Sequence, residues 1–171
     1  MKALCLSLCG AVCGLAQAPD LKSLTGSARA MHQMVASNIT KAAEKMPEEN
    51  YSFKPTPEVR SYGAIVAHIA DAQYLFCSAV IGEKNPAPGI EKSKTSKAEI
   101  QAALKEAFAY CDKAYALSDA QAAETTRLFG NERNKLNVLS FNDAHNMEHH
   151  GNLVTYLRMK GIVPPTSEGR R

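Results

Sequence analysis

The chain has 171 residues, a length typical of a single domain. Apolar residues make up 45% of it and charged residues 22%, which is ordinary for a soluble globular protein. Its 20 basic and 17 acidic residues leave a net charge of +3, aromatic residues are only 6%, and tryptophan is absent. The small, scattered charge and the lack of a stacking surface argue against nucleic acid or an anionic lipid surface as the partner.

The N-terminal segment is typical of a secretory signal peptide. Met1-Lys2 precedes an apolar run over residues 3–16, which ends in the A-x-A pattern Ala16-Gln17-Ala18. We therefore expect a signal peptide over 1–18, a mature domain over 21–168, and a periplasmic or secreted protein. A lipoprotein anchor is the alternative, but neither Cys9 nor Cys13 has the preceding small residue and leucine that such an anchor needs. We predict no other segment long or apolar enough to cross a membrane, and so no stable membrane insertion of the mature chain.

Two cysteines remain after the predicted cleavage, Cys77 and Cys111. In an oxidising compartment they could form one disulfide, or they could be two buried apolar thiols on neighbouring helices. The sequence leaves both alternatives open.

The rest of the chain carries four long helical patterns and no run of alternating strand character, which predicts an all-α protein, a four-helix bundle. Ser61 and Gly82 are expected to cap the second helix, and Ser96-Lys97-Ala98-Glu99 reads as a capping box at the start of the third. Met31, Met34, Val35 and Ile39 are expected on the inner face of the first helix. The predicted helices span 21–45, 61–81, 96–116 and 136–160.

The residues that carry chemistry are histidines. His145 and His149 are four residues apart on the last helix, so they share one face about 6 Å apart and can ligate one ion. His68 belongs to the apolar stripe of the second helix and is the best third ligand. His150 is rotated by about 100° from His149 and should point elsewhere, and His32 is expected near the surface. If no metal binds, the three histidines must instead be satisfied by hydrogen bonds.

Two carboxylates lie close to these histidines in sequence. Asp71 follows His68 by about one turn and is a candidate to orient a ligating imidazole. Glu148 gives the segment the pattern His145-x-x-Glu148-His149, which is also found in one class of zinc proteases, where the glutamate is the general base. That alternative needs a third ligand on a later helix, and only 22 residues follow His149. Glu148 is therefore expected to orient a ligand or water, or to lie on a polar face.

These motifs resemble the DinB-like superfamily of metalloenzymes. The resemblance rests on Ala67-His68-Ile69-Ala70-Asp71, the H-x3-H pair, the run from Glu148 to Arg158, and the ending Lys160-Gly161-Ile162-Val163-Pro164-Pro165. It implies a four-helix bundle with one crossover connection between the second and third helices. It also implies a three-histidine metal site with open coordination positions, and often a homodimer. It does not imply DNA binding.

Function is then expected at the open positions of the metal. Zinc, nickel and iron all accept three imidazoles. By resemblance, the protein would be a metal-dependent hydrolase or a thiol-type transferase acting on a small-molecule substrate. A non-catalytic periplasmic bundle that binds a metal or ligand is the alternative, with the remaining positions filled by a residue such as Asn142 or Glu148. A purely structural helical protein is the third.

Overall fold

The structure is a computed structural model that describes residues 18–169. The predicted signal peptide lies, apart from Ala18, outside the described residues. The described chain is mostly helical, and four of its helices are long. In chain order the elements are α1 (Leu24–Lys45), α2 (Tyr62–Ile81), α3 (Ile90–Ser93), α4 (Lys97–Cys111), α5 (Asp119–Ala123), β1 (Thr125–Leu128), β2 (Asn131–Asn134) and α6 (Lys135–Met159).

The helix ends follow their local sequence. The Ser61 hydroxyl accepts the Ala64 amide at the start of α2, and Gly82 ends that helix with φ +83°. Ser96 and Glu99 form the predicted capping box of α4. Each side-chain cap satisfies an amide that has no partner inside the helix. The predicted starts of the second and third helices are thus confirmed.

The apolar helix α2 packs against both α4 and α6, while α1 packs mainly against α6. By length and composition alone α2 could cross a membrane, so the prediction that no segment of the mature chain could do so was wrong. Most of α2 is nevertheless buried inside the protein. Its apolar character is explained by contacts on nearly all sides, as in a core helix.

A short antiparallel hairpin, β1–β2, corrects the prediction of a chain without strands. Its register pairs Thr125 with Asn134 and Leu128 with Asn131. The strands have four residues each and are largely polar, so they show no alternating pattern. They are held by tertiary contacts instead: Leu128 is buried, and the Thr126 hydroxyl donates to the Ala79 carbonyl at the end of α2.

The buried face of α1 contains His32 in place of the predicted Met31 and Met34. Val35 and Ile39 are fully buried as expected, but Met31 and Met34 are exposed and His32 is buried. The sequence offers apolar residues at both phases, and the packing against α6 selects the phase that contains His32.

Cys77 and Cys111 form a disulfide that joins α2 to α4, with their Cα atoms 5.3 Å apart. Both residues are fully buried. This resolves the alternative that the sequence left open and ties the helix carrying His68 to its neighbour.

Candidate metal centre

The three predicted histidines meet at the contact between α2 and α6. The Nε2 atom of His145 lies 3.1 Å from Nε2 of His68 and 3.1 Å from Nε2 of His149. All three ligand atoms lie within 4.8 Å of one another. Two nitrogens at about 2.0–2.1 Å from a shared ion, at angles of about 90–110°, are about 2.8–3.4 Å apart. The donor set therefore fits one divalent ion bound through three Nε2 atoms.

The electrostatics of the site favour neutral imidazoles, which is the form that binds metal. Burial lowers the pKa of His145 to about 4, with further lowering from the neighbouring His149, His68 and Arg60. Burial also lowers the pKa of His149, again with help from His68. Protons thus compete weakly with a metal at these two positions.

The lowered pKa values predict how the stability of the metal-free protein depends on pH. The unfolded chain binds a proton at His145 below its ordinary pKa of 6.5, whereas the folded chain resists this down to about 4. The contribution of neutral His145 to the free energy of unfolding should therefore be complete above pH 6.5, and it should be lost as the pH drops toward 4.

Urea unfolding of metal-free protein between pH 4 and 7.5 measures this dependence. The matched control is His145→Gln, which cannot titrate and should show a shallower loss over the same window. Equal pH profiles for the two proteins would contradict the assignment.

The residue that contacts the His68 ring in this structure is Glu91, which the sequence did not single out. Its Oε2 lies 3.2 Å from Nδ1 of His68, so an Nδ1–H can donate to it and leave Nε2 free for a metal. Arg60 donates from Nε to the other carboxylate oxygen at 2.9 Å. Glu91 lies in α3, inside a segment that the sequence predicted only as a connection.

Asp71 supports the site indirectly, by holding the backbone of the segment that carries Glu91. Its carboxylate accepts the backbone amides of Gly89, Ile90 and Glu91, each at 2.8 Å, at the start of α3. The structure records no hydrogen bond from Asp71 to an imidazole within residues 18–169. The contact predicted for Asp71 is made by Glu91, and Asp71 instead fixes the segment that carries Glu91.

We expect Glu91→Gln to weaken metal binding about 10-fold, because a carboxylate behind a ligating imidazole typically contributes 10–100-fold and the amide keeps one acceptor. Isothermal titration with zinc measures the change. The control is Glu106→Gln on the exposed face of α4. Unchanged affinity in Glu91→Gln would show that the Glu91–His68 contact does not support the site.

The other two imidazoles have different surroundings. The Asn152 amide group lies 3.4 Å from Nδ1 of His149, and an orientation with its oxygen toward the ring would accept the Nδ1–H. Nδ1 of His145 is buried with no hydrogen-bond partner among the described residues. Glu148 is exposed, and its structural role stays a prediction.

The remaining two histidines lie outside the cluster. His150 is 8% exposed and contributes no atom to the triad, as its helical phase predicts. His32 is 1% exposed rather than near the surface; it stacks on Tyr115 at 3.9 Å between ring centroids. Its Nδ1 lies 3.6 Å from the carboxylate of Asp143.

A buried amide network fixes α6 against α2 beside the triad. Gln73 donates to the side-chain oxygens of Asn142 at 3.1 Å and Asn146 at 2.7 Å, and Asn142 donates back to Gln73 at 3.0 Å. These bonds lie about one turn from His68 and His145 on their respective helices. Asn142 also donates to the Tyr115 hydroxyl at 3.2 Å, so its side-chain amide is held within the core and is not available as a metal ligand.

Two clefts border the triad. One, of about 510 Å³, is bordered by His68 and His145 and is otherwise mainly apolar. The other, of about 560 Å³, is bordered by His149 and by the charged residues Glu58, Arg60, Glu91 and Glu148. The three Nε2 atoms thus lie between an apolar and a polar space that a small molecule could enter.

The fold and the site together define a class: a mostly helical protein in which one helix supplies an H-x3-H pair and an earlier helix supplies a third histidine. That order argues against the protease alternative, which needs its third ligand on a later helix. The sequence model of the DinB superfamily matches residues 31–153, which includes all three histidines. The chain belongs to the DinB superfamily.

Individual relatives agree with this membership. The chain is 28% identical over 138 residues to the uncharacterized protein YjoA of Bacillus subtilis (strain 168), covering 76% of this chain and 87% of that one. A DinB-like protein from Bacillus cereus ATCC 10987 is similar in fold, with a TM-score of 0.74 at 16% identity, covering 85% of this chain and 98% of the other. The crystal structure of YjoA gives a TM-score of 0.63 at 22% identity, covering 79% and 92%.

Proposed function

We propose that this protein is an exported metal-dependent enzyme of the DinB type, a four-helix bundle with one crossover that binds a divalent ion through His68, His145 and His149. The ion would be zinc, nickel or iron. The observation that carries the proposal is the convergence of three Nε2 atoms, 3.1 Å apart in two pairs, between two open clefts.

The chemistry follows from the charge balance of the donor set. Three neutral imidazoles leave the full 2+ charge of a bound ion in place, so the ion supplies Lewis acidity toward water, a thiol or a carbonyl group. Glu91 holds the His68 ring through Nδ1. At the polar cleft Arg60 is paired with Glu91, and Glu58 and Glu148 add two further carboxylates. This arrangement supports hydrolysis of, or transfer to, a small electrophilic molecule.

The non-catalytic alternative requires that protein groups fill the remaining coordination positions. Asn142 is committed to Gln73 in the core. Glu148 borders the polar cleft with His149, but among residues 18–169 the structure records no hydrogen bond or ion pair between Glu148 and a histidine. The open clefts therefore favour the enzyme.

A cobalt-substituted protein tests the proposal directly. Azide, added to the Co²⁺ form, should change its visible absorption spectrum because coordination positions are open. Metal-loaded protein should also hydrolyse or transfer at least one member of a panel of activated esters and thiol-reactive electrophiles, and the metal-free form should not. A spectrum insensitive to azide, together with no metal-dependent turnover, would favour the binding module.

Export and assembly belong to the same proposal. The N-terminal pattern supports cleavage after Ala18, and the disulfide suits an oxidising compartment. The family resemblance supports a homodimer. The intact mass of protein recovered from a cell-envelope fraction tests export, and an uncleaved chain in the cytoplasm would contradict it. Sedimentation equilibrium tests the dimer, and a monomer at all concentrations would contradict it.

A further inference from the structure

The turn of the β1–β2 hairpin carries an aromatic residue in an unfavourable backbone conformation. Phe129 has φ +51° and Gly130 has φ +78°, as is typical of a two-residue type I′ turn. Asparagine or glycine is favoured at both positions, since a side chain with a β-carbon is strained at positive φ. The Phe129 ring is also 60% exposed. Neither the turn nor the core explains a phenylalanine here.

The Phe129 ring instead completes one wall of the apolar cleft. Its centroid lies 6.1 Å from that of Phe76 and 6.4 Å from that of Phe141. Phe76 and Phe141 are 5.5 Å apart. Three of the five phenylalanines of the chain thus surround one space. Phe141 is 44% exposed and Leu75 40% exposed, so the apolar surface that they offer is accessible.

This aromatic pocket, formed by Leu75, Phe76, Phe129 and Phe141, is continuous with two of the three histidines, His68 and His145. Phe76 lies 5.6 Å from the His145 ring, and the same cleft is bordered by His68. Its volume of about 510 Å³ falls within the range of about 300–1,000 Å³ typical of small-molecule sites. The second cleft, which is bordered by His149, carries charged side chains. A molecule spanning the triad therefore meets an apolar side and a polar side.

We propose that the aromatic pocket binds the apolar group of the substrate while the reacting polar group lies at the three histidines. The substrate class is then a small amphipathic molecule with an aromatic or medium-length aliphatic group beside its reactive centre. Phe129 is a specificity-determining residue, and the contact of its ring with this group offsets the strain of its backbone position. The placement of the reacting polar group at the histidines rests on the proposed function. The binding of the apolar group rests on the pocket alone.

A hydroxamate series tests the connection between pocket and triad. Acetohydroxamate, hexanohydroxamate and octanohydroxamate share a metal-chelating head and differ only in chain length. Their affinity for the zinc-loaded protein should rise about two- to fourfold per added methylene until the pocket is filled, which corresponds to burial of each CH₂. In the Phe129→Asn variant, the gain in affinity from acetohydroxamate to octanohydroxamate should be at most half of the wild-type gain. Affinity that does not depend on chain length would overturn the proposal.

The choice of asparagine separates a binding role from a structural one. Asparagine suits the turn, so Phe129→Asn should keep or raise the melting temperature while it weakens binding of the long-chain ligand. The control is Met31→Gln, which removes a comparably exposed apolar side chain outside the pocket and should leave the series unchanged. Loss of long-chain affinity in both variants would overturn the assignment of Phe129.

A metal-free measurement distinguishes failure of the pocket from failure of the metal site. With 4-ethylphenol as the probe, nuclear magnetic resonance should show shifts of the ring protons of Phe76, Phe129 and Phe141 at millimolar concentration. If acetohydroxamate does not bind, the proposed function fails, and these shifts still decide the pocket. If the probe shifts none of these rings, the pocket is overturned even when acetohydroxamate binds.

Discussion

His145→Ala is expected to abolish stoichiometric binding of a divalent metal. His145 is the central member of the triad, with its Nε2 at 3.1 Å from both of the other ligand atoms. Groups that only orient a ligand contribute about 10–100-fold to metal affinity, so loss of a ligand should cost more than about 100-fold. Competition with a chromophoric chelator measures the affinity, and elemental analysis measures the stoichiometry.

The matched control for this variant is His150→Gln. His150 belongs to the same helix and is buried, but it contributes no atom to the triad. It should keep one metal ion per chain. Equal loss in the two variants would show that metal binding depends on the integrity of α6 in general, and unchanged binding in His145→Ala would remove the triad as the site.

Loss of the disulfide is the second large effect that we expect. The bond between Cys77 and Cys111 closes a loop with a sequence separation of 34 residues. The chain-entropy relation for a loop of this length gives about 3–4 kcal/mol of stability. The double variant Cys77→Ala/Cys111→Ala replaces two buried sulfurs with small apolar groups, so the free energy of unfolding should fall by about that amount, with a decrease of roughly 10 °C in Tm.

Chemical reduction supplies the control. Wild-type protein in a strong reductant should lose a similar amount of stability, whereas the double variant should not respond to the reductant. Because α2 carries His68 and is one of the two bonded helices, metal affinity should also fall in the double variant, but less than in His145→Ala. If reduction leaves the wild-type Tm unchanged, the disulfide does not contribute as expected.

The sequence was sufficient to predict which three histidines lie together, because their signal is local. His145 and His149 share a face by helical spacing alone, and His68 stands within an apolar stripe. The caps at Ser61, Gly82 and Ser96 are equally local, since each depends on one or two neighbouring residues. These features fix where α2 begins and ends and where α4 begins.

The features that the sequence did not predict depend on contacts between distant segments. Glu91 reaches His68 only because Asp71 holds the start of α3 through three backbone amides. The four-residue helix α3 is too short to show a helical repeat of apolar residues in the sequence. His32 was misplaced because α1 offers two apolar phases, and only packing against α6 decides between them. The hairpin was missed because its eight strand residues are mostly polar.

The central claim, a metal ion held by three imidazoles with open positions, is tested most directly by X-ray absorption spectroscopy. Protein purified under native conditions from its own cells should contain one divalent ion per chain. Its spectrum should fit three imidazole nitrogens at about 2.0–2.1 Å for zinc, plus at least one light atom that azide replaces. Protein without a stoichiometric ion, or an ion whose spectrum shows fewer than three imidazoles, would contradict the claim.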